Sequence, residues 1–331
     1  MAPSSDDPYL DLEDANGAIG IKFAMAANKM CMSALGDPTA ASSNVYSRIL
    51  KSLESDERIP FVSSMGKDDN ENEILFNLWK DSKNPRGLWR KTTMDSYETG
   101  NPNWTTVLDI DELAKKESTP WVWRGSRVLP KSRDPMSQHG KRSTLALVSL
   151  SKDGSDDVVT REFDLETCTF VSKDGFNLPP AKTRACYRSR DVLLVGSDFG
   201  AGSLTKAGYP RTIREWRRGT DVDKAKVVFE GEATDLAVSS YVDDQRFRSG
   251  GIHEIRTRAL SYTSSKYWVR KVKYNHLLAE DDPLRDGLGE PSGFKYIDAP
   301  NDAELDFVGN LLVITLRSKW VPEEGKRFLP G

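Results

Sequence analysis

The chain has 331 residues, 37% hydrophobic and 29% charged, with 47 basic against 50 acidic side chains and a formal net charge of −3. That length supports a large core or two domains, and the balanced charge offers neither a basic groove for nucleic acid nor an attraction to an anionic membrane surface. No apolar run reaches the ~18 residues that a membrane span needs, and the acidic start MAPSSDDPYL lacks the basic-then-apolar layout of a secretory signal.

From the N-terminus, Pro8 to Asp14 (PYLDLED) reads as a short apolar-acidic arm. Ile19 to Leu35 is predicted helical, because Ile19, Phe23, Ala26, Ala27, Met30 and Ala34 recur at three- and four-residue steps. Gly36, Asp37 and Pro38 stop it. Ser43 to Leu53 is a second predicted helix, with Val45, Ile49, Leu50 and Leu53 on one side. Met65 to Glu73 (MGKDDNENE) is polar and reads as a solvated loop.

From Phe61 the pattern becomes β-rich. Leu75 to Trp79 is a short apolar strand, and Ser82 to Gly87 (SKNPRG) holds the Asn, Pro and Gly of a reversal. LWRKTT (Leu88 to Thr93) resumes as a strand. A polar connection leads to a third strand, Thr105 to Asp111, and Glu112 to Ser118 is a short helix or polar loop. Such a meander cannot bury both faces alone and needs neighbours of its own kind.

Those neighbours follow in degenerate form. The second unit takes Trp121 to Leu129, Leu145 to Leu150, Val158 to Leu165 and Thr169 to Val171. The third runs ACYRSRDVLLVGSDFG, YPRTIREWRRGT and AKVVFEG. The fourth runs TDLAVSSYVD, HEIRTRALSYTSSKYWVRKV and a strand near Tyr296 and Ile297. ELDFVG and NLLVITLRSKW begin a fifth. A period of roughly 45–65 residues is that of propeller blades with long loops; a β-sandwich with irregular loops is the other reading.

Little in this pattern carries chemistry. Asp198 to Pro210 (DFGAGSLTKAGYP) is Gly-dense, but no phosphate-cradle register follows it and Ser203 lies outside any Gly-x-Ser-x-Gly frame, so it reads as a turn. Arg214 to Arg218 (REWRR) is a basic-aromatic strip interrupted by Glu215, expected to ion-pair with the next sheet; Arg246 and Arg248 are expected to be solvated loop charges. Pro130 to Gly140 is a predicted surface loop. The acidic loop Leu277 to Gly289 lacks the alternating ligands of a calcium site. Cys31, Cys168 and Cys186 are far apart with no CxxC pair, which argues against zinc and for free thiols in a reducing cytoplasm. The three histidines, His139, His253 and His276, have no motif serine near them and are expected at the surface, in polar loops or at strand edges. The Asp and Glu residues are expected in turns, which leaves no carboxylate pair for a glycosidase. Catalytic, cofactor-binding and metal-binding residues are therefore expected to number none. Trp79, Trp89, Trp104, Trp123, Trp216 and Trp320 sit at strand ends, where flat rings seal one sheet against the next.

Several ordered blocks carry a resemblance: PYLDLED, LESDERIPFV, PRGLWRKTT, WTTVLDIDEL, DVVTREFDLET and VGSDFGAGSLTKAGYPRTIREWRRGT. From about Pro8 to Trp320 the chain resembles the N-terminal part of a prolyl oligopeptidase family serine peptidase of the bacterial type. Asp11 stands where the family commonly has Trp. The resemblance implies an all-β fold with a short N-terminal helical arm: residues 1–60 as arm and helices at a hydrolase interface, and 61–331 as an incomplete β-propeller of about four to five of seven blades. It also implies that the Ser, Asp and His of catalysis lie on an α/β-hydrolase domain after the propeller, missing from this chain. A chain cut there is expected to be inactive and prone to aggregate through raw sheet faces. Its function would be to gate short, proline-containing peptides in the cytoplasm. The alternative is a stand-alone propeller-like module that binds peptide or protein without catalysis.

Overall fold

A computed structural model describes residues 8–12, 17–40, 42–55, 60–68, 70, 72–130, 133–134, 144–244, 251–272 and 293–322. The loop expected at 277–289, Arg246, Arg248, His139, His276 and most of 130–140 lie outside the described residues. The chain divides into two compact units, Met1–Ile59 with Lys80–Pro85, and Pro60–Trp79 with Arg86–Gly331.

Among its described residues the first unit holds two α-helices, α1 (Ala18–Leu35) and α2 (Val45–Leu53). Gly36, at φ +86°, ends α1 and donates its N–H to the Met32 carbonyl. Neither helix buries a residue: Phe23, Met30 and Leu35 are 57%, 73% and 83% exposed.

The second unit is a succession of antiparallel sheets. The first contains β1 (Ser63–Lys67), β2 (Glu73–Trp79), β3 (Leu88–Thr93) and β4 (Thr105–Asp109) in that spatial order. The second contains β5 (Trp121–Val128), β6 (Leu145–Lys152), β7 (Val158–Asp164) and β8 (Thr169–Phe170), with β9 (Asn177–Ala181) on the other stretch of β7. The third is β10 (Arg184–Ser189), β11 (Val192–Gly196), β12 (Thr212–Arg217) and β13 (Lys226–Glu230). The fourth is β14 (Ala237–Asp244), β15 (Ile252–Ser261), β16 (Ser264–Val272) and β17 (Lys295–Tyr296). β18 (Glu304–Val308) and β19 (Leu311–Thr315) form a hairpin beyond them. This is the all-β, propeller-type architecture expected from the sequence.

Three local expectations change. Part of the stretch expected as a loop from Met65 is β1, so the first sheet has four strands, not three. The connection after β3 holds a short helix, α3 (Met94–Glu98), because the Thr93 hydroxyl accepts the Ser96 N–H as an N-cap. The strand expected to reach Asp111 stops at Asp109, whose carboxylate accepts the Glu112 N–H at 3.0 Å and starts α4 (Ile110–Glu117).

The sheets pack face to face because strand periodicity is two. On β6, Ala146, Val148 and Leu150 join the cluster shared with Ile74, Phe76, Trp89 and Val107 of the first sheet, while Leu145 and Leu147 join Tyr187, Leu193, Val195 and Trp216 of the third. On β11, Leu194 turns the other way, towards Val238, Val242, Ile252 and Val272 of the fourth. A strand buried on both faces reads as a continuous apolar run, as VLLV does. Each buried aliphatic or aromatic side chain contributes ~1.5–3 kcal/mol of transfer free energy. Trp89 is 2% exposed and meets Phe76, Trp123 and Phe163 at ring-centre distances of 5.3, 5.1 and 5.9 Å.

Candidate functional site

Two buried carboxylates, both on strands, tie neighbouring sheets together. Glu162 on β7 is fully buried and faces the third sheet. Arg218 grips it with two donors, at 2.6 and 2.8 Å, the Tyr187 hydroxyl donates at 2.7 Å, and the Phe176 N–H donates at 3.2 Å. Burial pushes the Tyr187 phenol well above its ordinary value, and the Glu162 carboxylate adds to that. Arg218 also reaches Asp191 and the Arg190 carbonyl, and Arg190 pairs with the buried Asp134 at 2.8 Å. The last residue of the REWRR strip, Arg218, thus pairs with an acid on the preceding sheet, not on the next one as expected.

Glu254 on β15 is 1% exposed and is met by Arg270 at 3.0 Å, Arg188 at 3.4 Å and Arg256 at 3.7 Å. All three arginines are buried. The guanidinium carbons of Arg256 and Arg270 lie 3.9 and 4.7 Å from the centre of the Phe294 ring. Burial raises the Glu254 carboxyl, but Arg188, Arg270 and Arg256 outweigh it and hold the group below the usual carboxylate range. Glu162 and Glu254 correct the expectation that the acids sit in turns. Arginine and tyrosine surround Glu162, and the three guanidinium groups around Glu254 favour its anion.

His253 is not a surface residue. It lies on β15, between β14 and β16, is 8% exposed, and stacks on the Phe307 ring at 4.2 Å with an 11° tilt. Its Nδ1 has no hydrogen-bond partner among the described residues. Burial first, then Lys271, lowers its pKa against the opposing pull of Asp243. Nearby, the Tyr241 hydroxyl is pushed up to about 12 by burial, with Tyr267, Asp243 and Asp306 adding to it. No serine approaches His253 in the hydrogen bonds of the described residues. Ser203 is held inside its own turn, donating to the Gly200 carbonyl at 2.6 Å and accepting the Phe199 N–H at 2.8 Å. No group of three or more His, Cys, Asp or Glu among the described residues is arranged to hold a metal, and Cys31, Cys168 and Cys186 are unpaired.

Among the described residues, one concave polar feature is a cleft of about 430 Å³ between the second and third sheets. Its floor is one row of small residues in register: Gly125 opposite Ser149, and Ser149 opposite Thr160. The next row, Arg127, Leu147 and Glu162, is large. The apolar cluster around Leu147 closes the seam there, and the small row leaves it open. A bulge in β5 between Trp123 and Gly125, with Gly125 at φ +132°, turns Arg124 onto the rim. The opposite wall is Lys182, Thr183 and Arg184.

No family model matches the sequence. The chain is 33% identical over 208 residues to the uncharacterized peptidase y4nA of Sinorhizobium fredii, covering 60% of this chain and 27% of that protein. It is 30% identical over 240 residues to the uncharacterized peptidase RP174 of Rickettsia prowazekii, covering 69% of this chain and 30% of that one. Among solved structures, a post-proline cleaving enzyme from Rickettsia typhi superposes with a TM-score of 0.72 at 24% identity, over 95% of this chain and 42% of the enzyme. Oligopeptidase B from Leishmania major superposes with a TM-score of 0.57 at 8% identity, over 93% of this chain and 37% of that one. The chain thus spans less than a third of the curated relatives it matches. No helix among the described residues is long and apolar enough to cross a membrane. In sequence the chain is similar to part of two uncharacterized peptidases, and its fold matches the propeller part of a post-proline cleaving enzyme of the prolyl oligopeptidase type.

Proposed function

We propose that this chain is the gating propeller of a prolyl oligopeptidase-type serine endopeptidase that acts on short peptides in the cytoplasm. It contributes no nucleophile of its own. The Ser, Asp and His belong to an α/β-hydrolase domain that the propeller covers. A peptide in extended form passes such a cover, and a folded domain does not, so size alone selects the substrate.

The observation that carries this reading is the match of 95% of the chain to part of the post-proline cleaving enzyme. Three further features support it. The buried acids are locked by arginine, and His253 faces an aromatic ring, so neither supplies an acid–base pair. The helices of residues 1–60 bury none of their side chains, and an apolar face of that kind fits a second domain. Three unpaired cysteines fit a reducing compartment.

The test is a reconstitution. The chain is joined to the α/β-hydrolase segment of a matching relative and given chromogenic peptides of increasing length that contain proline. Cleavage of short peptides, none of a folded protein, and none by the chain alone is the expected pattern. Turnover by the chain alone, or no change in size selection on adding it, would overturn the reading. Binding of a partner protein without effect on cleavage would favour the stand-alone module.

A further inference from the structure

We propose that the cleft between the second and third sheets is a binding site for the carboxylates of a short acidic peptide. Among the described residues, four cations border it, Arg124, Arg127, Lys182 and Arg184, against one carboxylate, Asp156. Asp156 is engaged by Arg124 at 3.6 Å. The guanidinium groups of Arg127 and Arg184 make no hydrogen bond or ion pair among the described residues. Lys182 rests its ammonium 4.4 Å from the centre of the Tyr209 ring, which fixes it at the rim without neutralising it. Elsewhere in the same seam, arginine is matched to acid: Arg218 to Glu162, and Arg190 to Asp134. Like charges gathered around an open hollow repel one another unless an anion enters, and guanidinium forks match the planar, two-oxygen geometry of a carboxylate.

The shape argues for a ligand site as well as the charge. The row Gly125, Ser149 and Thr160 leaves the hollow where the neighbouring row fills it. A Cβ built on Gly125 would meet nothing within 4 Å, so the space continues above the bulge. The volume, about 430 Å³, lies within the ~300–1,000 Å³ of small-ligand sites. The choice of a peptide as bearer of the carboxylate rests on the peptidase reading above.

Fluorescence anisotropy on the full chain tests this with a labelled tri-glutamate peptide and its tri-glutamine counterpart, amidated at the C-terminus. The glutamate peptide should bind at least ~10-fold more tightly, and its affinity should fall between ~0.01 M and ~0.15 M salt as the screening length shortens. R127A with R184A should weaken it ~10-fold or more, while K173A, the loss of an exposed cation outside the cleft, should leave it unchanged. Ser149→Leu fills the small row without altering charge and should also abolish binding; a thermal melt on each variant establishes that it is folded. Equal affinity for the two peptides, or unchanged binding in folded R127A/R184A or Ser149→Leu, would overturn the site. The assay involves no hydrolysis, so its failure is separate from failure of the reconstituted peptidase.

Discussion

The seam between the first and second sheets and the seam between the third and fourth are built on different physics. The first is a nest of rings and branched chains, Trp89 against Phe76, Trp123 and Phe163, and its contribution is non-directional and scales with area. The third also has apolar side chains, but at its heart sits Glu254 among three buried arginines. Charges taken from water repay their desolvation only when every partner is in place. The apolar seam therefore tolerates changes of shape, whereas the ionic one tolerates no missing member. It also restricts how β10 and β15 meet, since a slip of one residue would turn Glu254 away from Arg188.

Removing the centre of each seam gives the largest expected effects. Glu254→Ala removes the buried carboxylate that Arg188, Arg256 and Arg270 share and should cost about 3–5 kcal/mol in urea unfolding. Trp89→Ala should cost a similar ~3–5 kcal/mol through the cavity it opens. What separates them is the conservative change. Trp89→Phe keeps the seam apolar and should recover most of the loss, whereas Glu254→Gln keeps the shape and should recover little. Equal recovery in both would erase the distinction.

Acid sharpens the same contrast. Glu254 has a folded-state pKa below its unfolded value, so its contribution is present above the ordinary carboxylate range and lost as pH falls through the folded value. His253 acts at a higher pH. Its folded pKa is lowered, so the unfolded chain takes up the proton first and stability declines as pH falls below ~6.5. Urea midpoints from neutral pH down to acid should show both steps, with the upper one absent in His253→Phe and the lower one absent in Glu254→Gln. An upper step that survives His253→Phe would assign it elsewhere.

The smallest effect belongs to local capping. Asp109→Ala should cost ~0.5–2 kcal/mol by leaving the Glu112 N–H without its acceptor. A loss as large as that of Glu254→Ala would mean that α4 is integral to the first seam.

Much of the sheet architecture was legible because apolar runs, turns and spacing act locally. SKNPRG between two β-rich runs announces a reversal whatever surrounds it, and VLLV reads as a strand buried on both sides. The short helix after Thr93 had a local signal, a Thr able to act as N-cap with Asp95 in the first turn. Asp109 with Glu112 three residues later likewise marks the start of α4, two residues before the helix or loop expected from Glu112. The cleft had no such signal. Gly125, Ser149 and Thr160 lie on three strands, and only their register makes them one row.

Sequence alone determined where the strands begin and turn, how many successive sheets they form, and that the chain resembles the propeller of a peptidase, because those properties rest on near neighbours and on residue blocks in order. Tertiary structure decided what the charges do. Glu162 meets Arg218 across 56 residues and Glu254 meets Arg188 across 66, so no local pattern distinguishes them from solvated strand charges. A carboxylate's character is set by what surrounds it in space, and that follows only once the sheets have packed.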